Sequence, residues 1–161
     1  LIGGGATSLF YRRLVMEKKV AVAAGAYYLG TAVDDTRFYL YALPAPDVSL
    51  ETLDREIEAL LVEARTTLFP AEELERAKNR LVADAVYAQD NQTAMARWYG
   101  ASLAIGASIE DIRDWPNRIE AVTAEAVREA ARSLDRGRAV TGYLLSEEPQ
   151  EQPQEQPQAA A

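Results

Sequence analysis

Two residue types are missing from this chain. It has no cysteine and no histidine among its 161 residues. Without cysteine there is no disulfide, no thiolate ligand and no thiol nucleophile, and that fits any compartment. Without histidine a Ser-His-Asp or Cys-His triad cannot be assembled within the chain. A protein zinc site is also hard to build, because carboxylates alone suit Mg²⁺ or Ca²⁺ better. Positive charge is scarce as well, with 17 Lys and Arg against 25 Asp and Glu and a net charge of −8. Four Glu lie in the tail after residue 146, and setting them aside leaves about −4 for the body. Nucleic acid is a poor partner for such a surface, since phosphate neutralisation needs clustered Lys and Arg. No apolar run approaches the ~20 residues of a membrane span.

What is present suffices for one domain with a core: 48% of residues are apolar. The chain opens at Leu1-Ile2 followed by Gly3-Gly4-Gly5. That opening reads as the cut end of an element, so a piece of a longer protein is expected. The three glycines invite a phosphate-loop reading, but the Gly-Lys-Ser/Thr that completes a Walker pattern is absent. A turn that re-aims the chain is the plainer reading.

The stretch Thr7 to Tyr28 organises the rest. Its first half has helical rhythm, with Leu9, Tyr11, Leu14 and Val15 on one face and Arg12, Arg13, Glu17 and Lys18 towards water. Thr7 or Ser8 suits the cap, and Lys18-Lys19 suit the last turn. Val20 to Leu29 carries no charge and is rich in small, β-branched and aromatic residues, the pattern of a buried strand. Gly30 to Asp35 has turn chemistry, with Asp34-Asp35 at the tip. Arg37 to Leu43 then returns as a second strand, with Phe38, Leu40 and Ala42 on one side and Arg37, Tyr39 and Tyr41 on the other. Pro44 and Pro46 end it.

Helices follow. Ser49 caps the first, whose apolar face runs Leu53, Ile57, Leu60, Leu61, Ala64 and which ends near Thr67. Pro70 starts the next, with Leu74, Ala77, Leu81, Val82, Ala85 and Val86 expected inside. Glu72, Glu73 and Glu75 read as a solvated first turn, with a cation site as the alternative. Asp90-Asn91-Gln92 interrupts the periodicity, Thr93 to Leu103 resumes it, and Gly106 stops it. Ser108 to Asp114 reads as a short helix ended by a turn at Trp115-Pro116. Thr123 caps a last helix bearing Val127, Ala130, Ala131 and Leu134. Arg136-Gly137-Arg138 reads as a loop, and Ala139 to Leu145 as a third strand. The PQEQ repeat beyond has no core-forming side chains and reads as a disordered tail, or alternatively as a Pro-rich ligand. The expected fold class is α+β: a small, mainly antiparallel sheet with helices on one face over residues 1–146, then a tail over 147–161. Three strands are few for so much helix, so further strands are expected from outside the chain.

Three stretches together resemble one family. Gly3-Gly4-Gly5-Ala6-Thr7-Ser8, then Leu14-Val15 and Glu17-Lys18-Lys19-Val20-Ala21, are similar to the glycine-rich helix start of pitrilysin/insulinase-type zinc metallopeptidases. Glu72-Glu73-Leu74-Glu75-Arg76-Ala77-Lys78 resembles their "EEL-x-x-A-K" helix, and Thr123-Ala124-Glu125-Ala126-Val127 the "VT-x-E-x-V" of their last helix. The stretches come in the family's order and span nearly all of residues 1–145.

The resemblance implies that residues 1–146 are the later part of a second, non-zinc domain in the C-terminal part of a zinc-bearing chain, one of several related α+β domains that pair to enclose a chamber. Zinc is held elsewhere by an inverted H-x-x-E-H motif, whose Glu activates the metal-bound water. This chain then needs no cofactor of its own, while zinc is implied for the full-length protein. The family often places an Arg and a Tyr, seven residues apart, at the end of the opening helix and the start of the following strand; they hold the substrate backbone and the oxyanion. Val15 and Val22 stand at those positions here, as possible chamber-lining residues. Arg80 and Tyr87 have the same spacing, but within one predicted helix, which reads as chance. The Arg of the family's "S-R-L" is also replaced, by Leu9. The implied partners are the zinc-bearing domain of the same chain, a homologous partner chain that supplies Arg and Tyr, and a peptide substrate. A non-catalytic structural or processing-partner subunit of the same fold is the rival, and a stand-alone peptide-binding domain a third reading. Bacterial periplasm and cytoplasm are both compatible with the sequence.

Overall fold

The computed structural model describes residues 1–145. The tail assigned to 147–161 lies outside the described residues. Leu1 to Gly5 runs back against the start of the opening helix, the Leu1 and Ile2 carbonyls accepting from the N–H groups of Leu9 and Phe10 at 2.9 Å each. A π-helix spans Tyr11–Glu17, closed by bonds five and six residues long: Lys18 N–H to the Arg13 carbonyl and Val20 N–H to the Leu14 carbonyl, both 2.9 Å. Lys19 then takes a left-handed φ of 54°, an uncommon conformation for a residue with a Cβ. Strand β1 covers Ala21–Tyr28 and pairs antiparallel with β2, Phe38–Pro44. Between them, Thr36 donates its hydroxyl hydrogen to the Leu29 carbonyl, and the Asp34 carboxylate accepts from the Asp35 N–H at the tip.

Among the described residues five α-helices follow: α1, Leu50–Thr66; α2, Ala71–Ala88; α3, Gln92–Ala104; α4, Ile109–Glu120; and α5, Ala124–Ala131. The starts obey local chemistry. Ser49, Asn91, Ser108 and Thr123 each accept from a backbone N–H two or three residues into their helix. Gly106, at φ 91°, takes the left-handed turn after α3.

The main core joins three layers. Leu9, Phe10 and Leu14 come from the opening helix, Ala21 and Ala24 from β1, and Leu53, Leu60, Leu61 and Ala64 from α1. Phe69 and Ala131 close it. The architecture is α+β, as expected, with the helices on one face of an antiparallel hairpin.

Four expectations are corrected. Ala139 to Leu145 is irregular, with Val140 fully exposed and Leu144 96% exposed. A strand exists only by pairing, and this segment pairs with neither described strand. Pro116 does not end a helix, because α4 runs through it to Glu120. Proline removes one helical hydrogen bond there. Ile112 is buried nearby, and Trp115 packs edge-to-face on Trp98 of α3 at 6.0 Å between centroids, so packing and the cap hold the helix across the gap. On α2 only Leu74 is buried, while Leu81 and Val86 are exposed. Its apolar face is covered only in part: Ala77, Val82 and Ala85 are half-buried, and α4 packs against the helix. The cap expected of Thr7 or Ser8 does not form: the opening helix has no side-chain cap, and the Ser8 hydroxyl is buried without a partner among the described residues. The charged face of the opening helix is open to water, as expected, and also meets carboxylates. Arg12 reaches Glu73 of α2 at 2.7 Å, and Arg13 reaches Glu17 at 2.9 Å and Glu63 of α1 at 3.3 Å. Lys18 pairs with Glu56 of α1.

Helix α4 begins with a reciprocal cap: the Ser108 hydroxyl accepts from the Asp111 N–H at 3.1 Å, and the Asp111 carboxylate accepts from the Ser108 N–H at 2.9 Å. Those hydrogen bonds from Ser108, backbone then hydroxyl, hold the Asp111 carboxyl below its ordinary 3.8. The cap's stabilisation is therefore present above that value and is lost as pH falls through the lowered one. Ser108→Ala is expected to cost about 1 kcal/mol at neutral pH. Urea denaturation should show that deficit shrinking as the pH is taken below 3.8; an equal deficit at both pH values would mean the cap contributes nothing pH-dependent.

Candidate functional site

The two positions singled out by the family resemblance flank the junction of the opening helix and β1. Val15 lies in the π-helix, half-buried against the core. Val22 lies in a β-bulge: Ala21 opposes Pro44 and Ala23 opposes Leu43, so Val22 has no partner of its own. Its side chain is 55% exposed. A bulge re-aims a side chain and increases local twist, and π-turns and bulges recur beside functional sites. Here a π-helix, a left-handed Lys19 and a bulge follow one another within twelve residues, Tyr11 to Val22. None has a local sequence signature.

Beyond the bulge the hairpin separates its two faces. Ala24 opposite Ala42 and Ala26 opposite Leu40 lie on the core side. On the other side Ala23 opposes Leu43, Gly25 opposes Tyr41, and Tyr27 opposes Tyr39. Tyr27 and Tyr39 stack at 4.9 Å. Tyr41 covers Gly25, where an added Cβ would lie 2.6 Å from the Tyr41 hydroxyl oxygen. This face exposes Tyr27, Tyr41 and Leu43, each about half. The uncharged run from Val20 to Leu29 is thus buried on one face only, because the helices cover one side. Arg37 at its edge donates to the Tyr39 hydroxyl at 3.3 Å, which raises the Arg37 pKa further. Aromatic and aliphatic side chains dominate the surface, which suits binding rather than proton transfer.

The ion pairs hold the junction from behind. Glu17 and then Glu63 raise the Arg13 pKa. Glu72, Glu73 and Glu75 do not converge on a cation: they pair with Arg76, Arg12 and Lys78 respectively. Among the described residues no three His, Cys, Asp or Glu side chains come together to hold a metal. Arg80 and Tyr87 are both exposed on α2, Arg80 beside Gly5 and Tyr87 76% open to solvent. No helix among the described residues is long and apolar enough to cross a membrane.

This geometry has a counterpart among solved structures. A protease from Helicobacter pylori superposes with a TM-score of 0.73 at 22% identity, over 83% of this chain and 32% of that one. At that identity the likeness is one of fold, and this chain spans about a third of the neighbour's length. No family model matches the chain, and no curated protein matches it.

Proposed function

We propose that this chain is a non-zinc-binding domain of a pitrilysin/insulinase-type zinc metalloendopeptidase. It helps enclose a peptide while hydrolysis takes place at zinc in another domain. The observation that carries this reading is the fold likeness, over 83% of the chain, to part of a larger protein described as a protease. The three family-like stretches, in order, support it independently. In this reading the exposed Val22 and the tyrosine face of the hairpin meet the peptide, and Val15 backs them from the π-helix. Neither valine can hold a substrate backbone by hydrogen bonds from its side chain, so a homologous partner chain supplies the Arg and Tyr. The same two valines favour a second reading, a structural or processing-partner subunit that has lost the polar pair.

A peptidase assay separates the two. The full-length protein is measured alone and mixed with its homologous partner chain, with and without a chelator. Chelator-sensitive cleavage appearing only in the mixture is the expected result. No cleavage in either case, with no zinc bound, selects the structural subunit. The 161-residue chain alone is expected neither to cleave peptides nor to bind Zn²⁺ tightly, and stoichiometric tight Zn²⁺ binding by it would overturn both readings.

A further inference from the structure

The outer face of the hairpin has a repeat that an extended peptide can match. Three cross-strand pairs make it up: Ala23 with Leu43, Gly25 with Tyr41, and Tyr27 with Tyr39. Successive pairs on one face of a strand lie about 6.6 Å apart, two residues at about 3.3 Å each. A peptide laid along the hairpin in extended form presents alternate side chains at the same interval, so they meet the three pairs in step. The first pair is aliphatic, the second sets the Tyr41 ring over Gly25, and the third is the stacked tyrosine pair.

One cation stands on this face, just past the stacked pair. Arg37 is exposed, precedes Tyr39 by two residues on the same side of β2, and donates from Nη1 to the Tyr39 hydroxyl at 3.3 Å. That bond holds the guanidinium at the edge of the aromatic surface and occupies only one of its five N–H donors. Arg12, Arg13 and Arg136 each hold a carboxylate. Arg37 makes no ion pair among the described residues, and that includes Asp34 and Asp35 on the adjoining turn. Its remaining donors suit a carboxylate oxygen. The surplus of acidic groups elsewhere on the chain is largely screened beyond about 8 Å at physiological salt, so the attraction is local to this guanidinium.

We infer that Arg37 gives the hairpin a sequence preference: an extended segment with apolar residues at alternate positions, followed in step by a Glu or Asp whose carboxylate pairs with Arg37. This rests on the reading that the hairpin meets the peptide. An endopeptidase substrate runs on past this edge, so the carboxylate belongs to a side chain and not to the peptide's end.

The test uses the 161-residue chain and three acetylated, amidated peptides. Each alternates Val with Ser through three repeats and closes with Glu, Gln or Lys before the amide. Backbone amide shifts are followed by NMR as each peptide is titrated. Saturable shifts along β1 and β2 are expected with all three. The Glu peptide should bind about fivefold more tightly than the Gln peptide, the upper range for an exposed ion pair, and the Lys peptide more weakly than either. The Glu-over-Gln preference should shrink as salt is raised. In Arg37→Gln it should vanish while affinity for the Gln peptide is kept, and Arg37→Lys should restore part of it. A merely structural role for Arg37 would weaken all three peptides together and leave their ratio unchanged. Equal affinity for the Glu and Gln peptides overturns the inference and leaves the peptide-facing hairpin standing. A Glu preference that survives Arg37→Gln overturns it too. Absence of saturable hairpin shifts with every peptide removes the peptide-facing hairpin itself, and this inference with it.

Discussion

Phe10→Ala is expected to destabilise the domain by about 3–5 kcal/mol. Phe10 has no exposed surface. It sits in the cluster that joins the opening helix, β1 and α1, so its removal opens a cavity bounded by three layers. These elements are tied together by ion pairs and hydrogen bonds and cannot easily collapse into the gap. A domain of this size has only about 5–15 kcal/mol in total, so roughly a fifth or more of its stability is at stake. Urea denaturation should show a lower midpoint with little change in slope. Leu81→Ala is the informative contrast. Leu81 has the periodicity of a core residue but is 45% exposed, and its loss should cost under about 1 kcal/mol. Equal effects at the two positions would mean that the core lies elsewhere.

Gly3→Ala is expected to cost about 1–3 kcal/mol, against almost nothing for Gly4→Ala. A Cβ on Gly3 would lie 2.2 Å from the Ala26 nitrogen and 2.7 Å from its Cα. Those are backbone atoms of β1, and no side-chain rotation relieves the clash. The Leu1 to Gly5 segment must therefore lift from the strand and release the 3.0 Å bond from the Ala26 N–H to the Gly3 carbonyl. At Gly4 nothing lies within 4 Å of the same added atom. Amide hydrogen exchange at Ala26 offers a local readout. It should accelerate in Gly3→Ala and stay slow in Gly4→Ala, and similar protection in both chains would show that the close approach carries no energy.

The glycine pair illustrates what a sequence can carry. Gly3-Gly4-Gly5 announces a turn, because glycine punctuates local structure wherever it stands. Nothing in the three letters says that the first must be glycine because a strand passes beside it twenty-three residues later. Caps and hairpin chemistry were legible for the same local reason. Ser49 and Thr123 need only the next turn of chain to do their work, and Asp34-Asp35 only their own backbone. The alternation in β2 was legible too, since Phe38, Leu40 and Ala42 turn one way and Tyr39 and Tyr41 the other.

Positions Val15 and Val22 became candidates only through the family resemblance; no property of a lone valine suggests a site. What surrounds them was not legible. The π-turn at Tyr11–Glu17, the left-handed Lys19 and the bulge at Val22 satisfy long-range demands: Leu9, Phe10 and Leu14 inward together, β1 in register with β2, Arg12 and Arg13 against Glu73 and Glu63. The apolar periodicity of α2 marks a face but not how far it is buried: Leu74 is inside while Leu81 and Val86 are exposed, because amphipathicity specifies a surface and not its covering. Ala139 to Leu145 departs likewise, since strand propensity yields no strand where the segment pairs with none.

The sequence by itself therefore determined the α+β class, most helix starts, the hairpin and the exclusion of His- and Cys-based chemistry from this chain, because each depends on residue type or on neighbours within a turn. The tertiary structure alone decided which apolar faces are covered, where the charges of the opening helix are spent and how Ser8 comes to be buried. Those outcomes depend on contacts between residues tens of positions apart, which are set by packing layers against one another and not by any local preference.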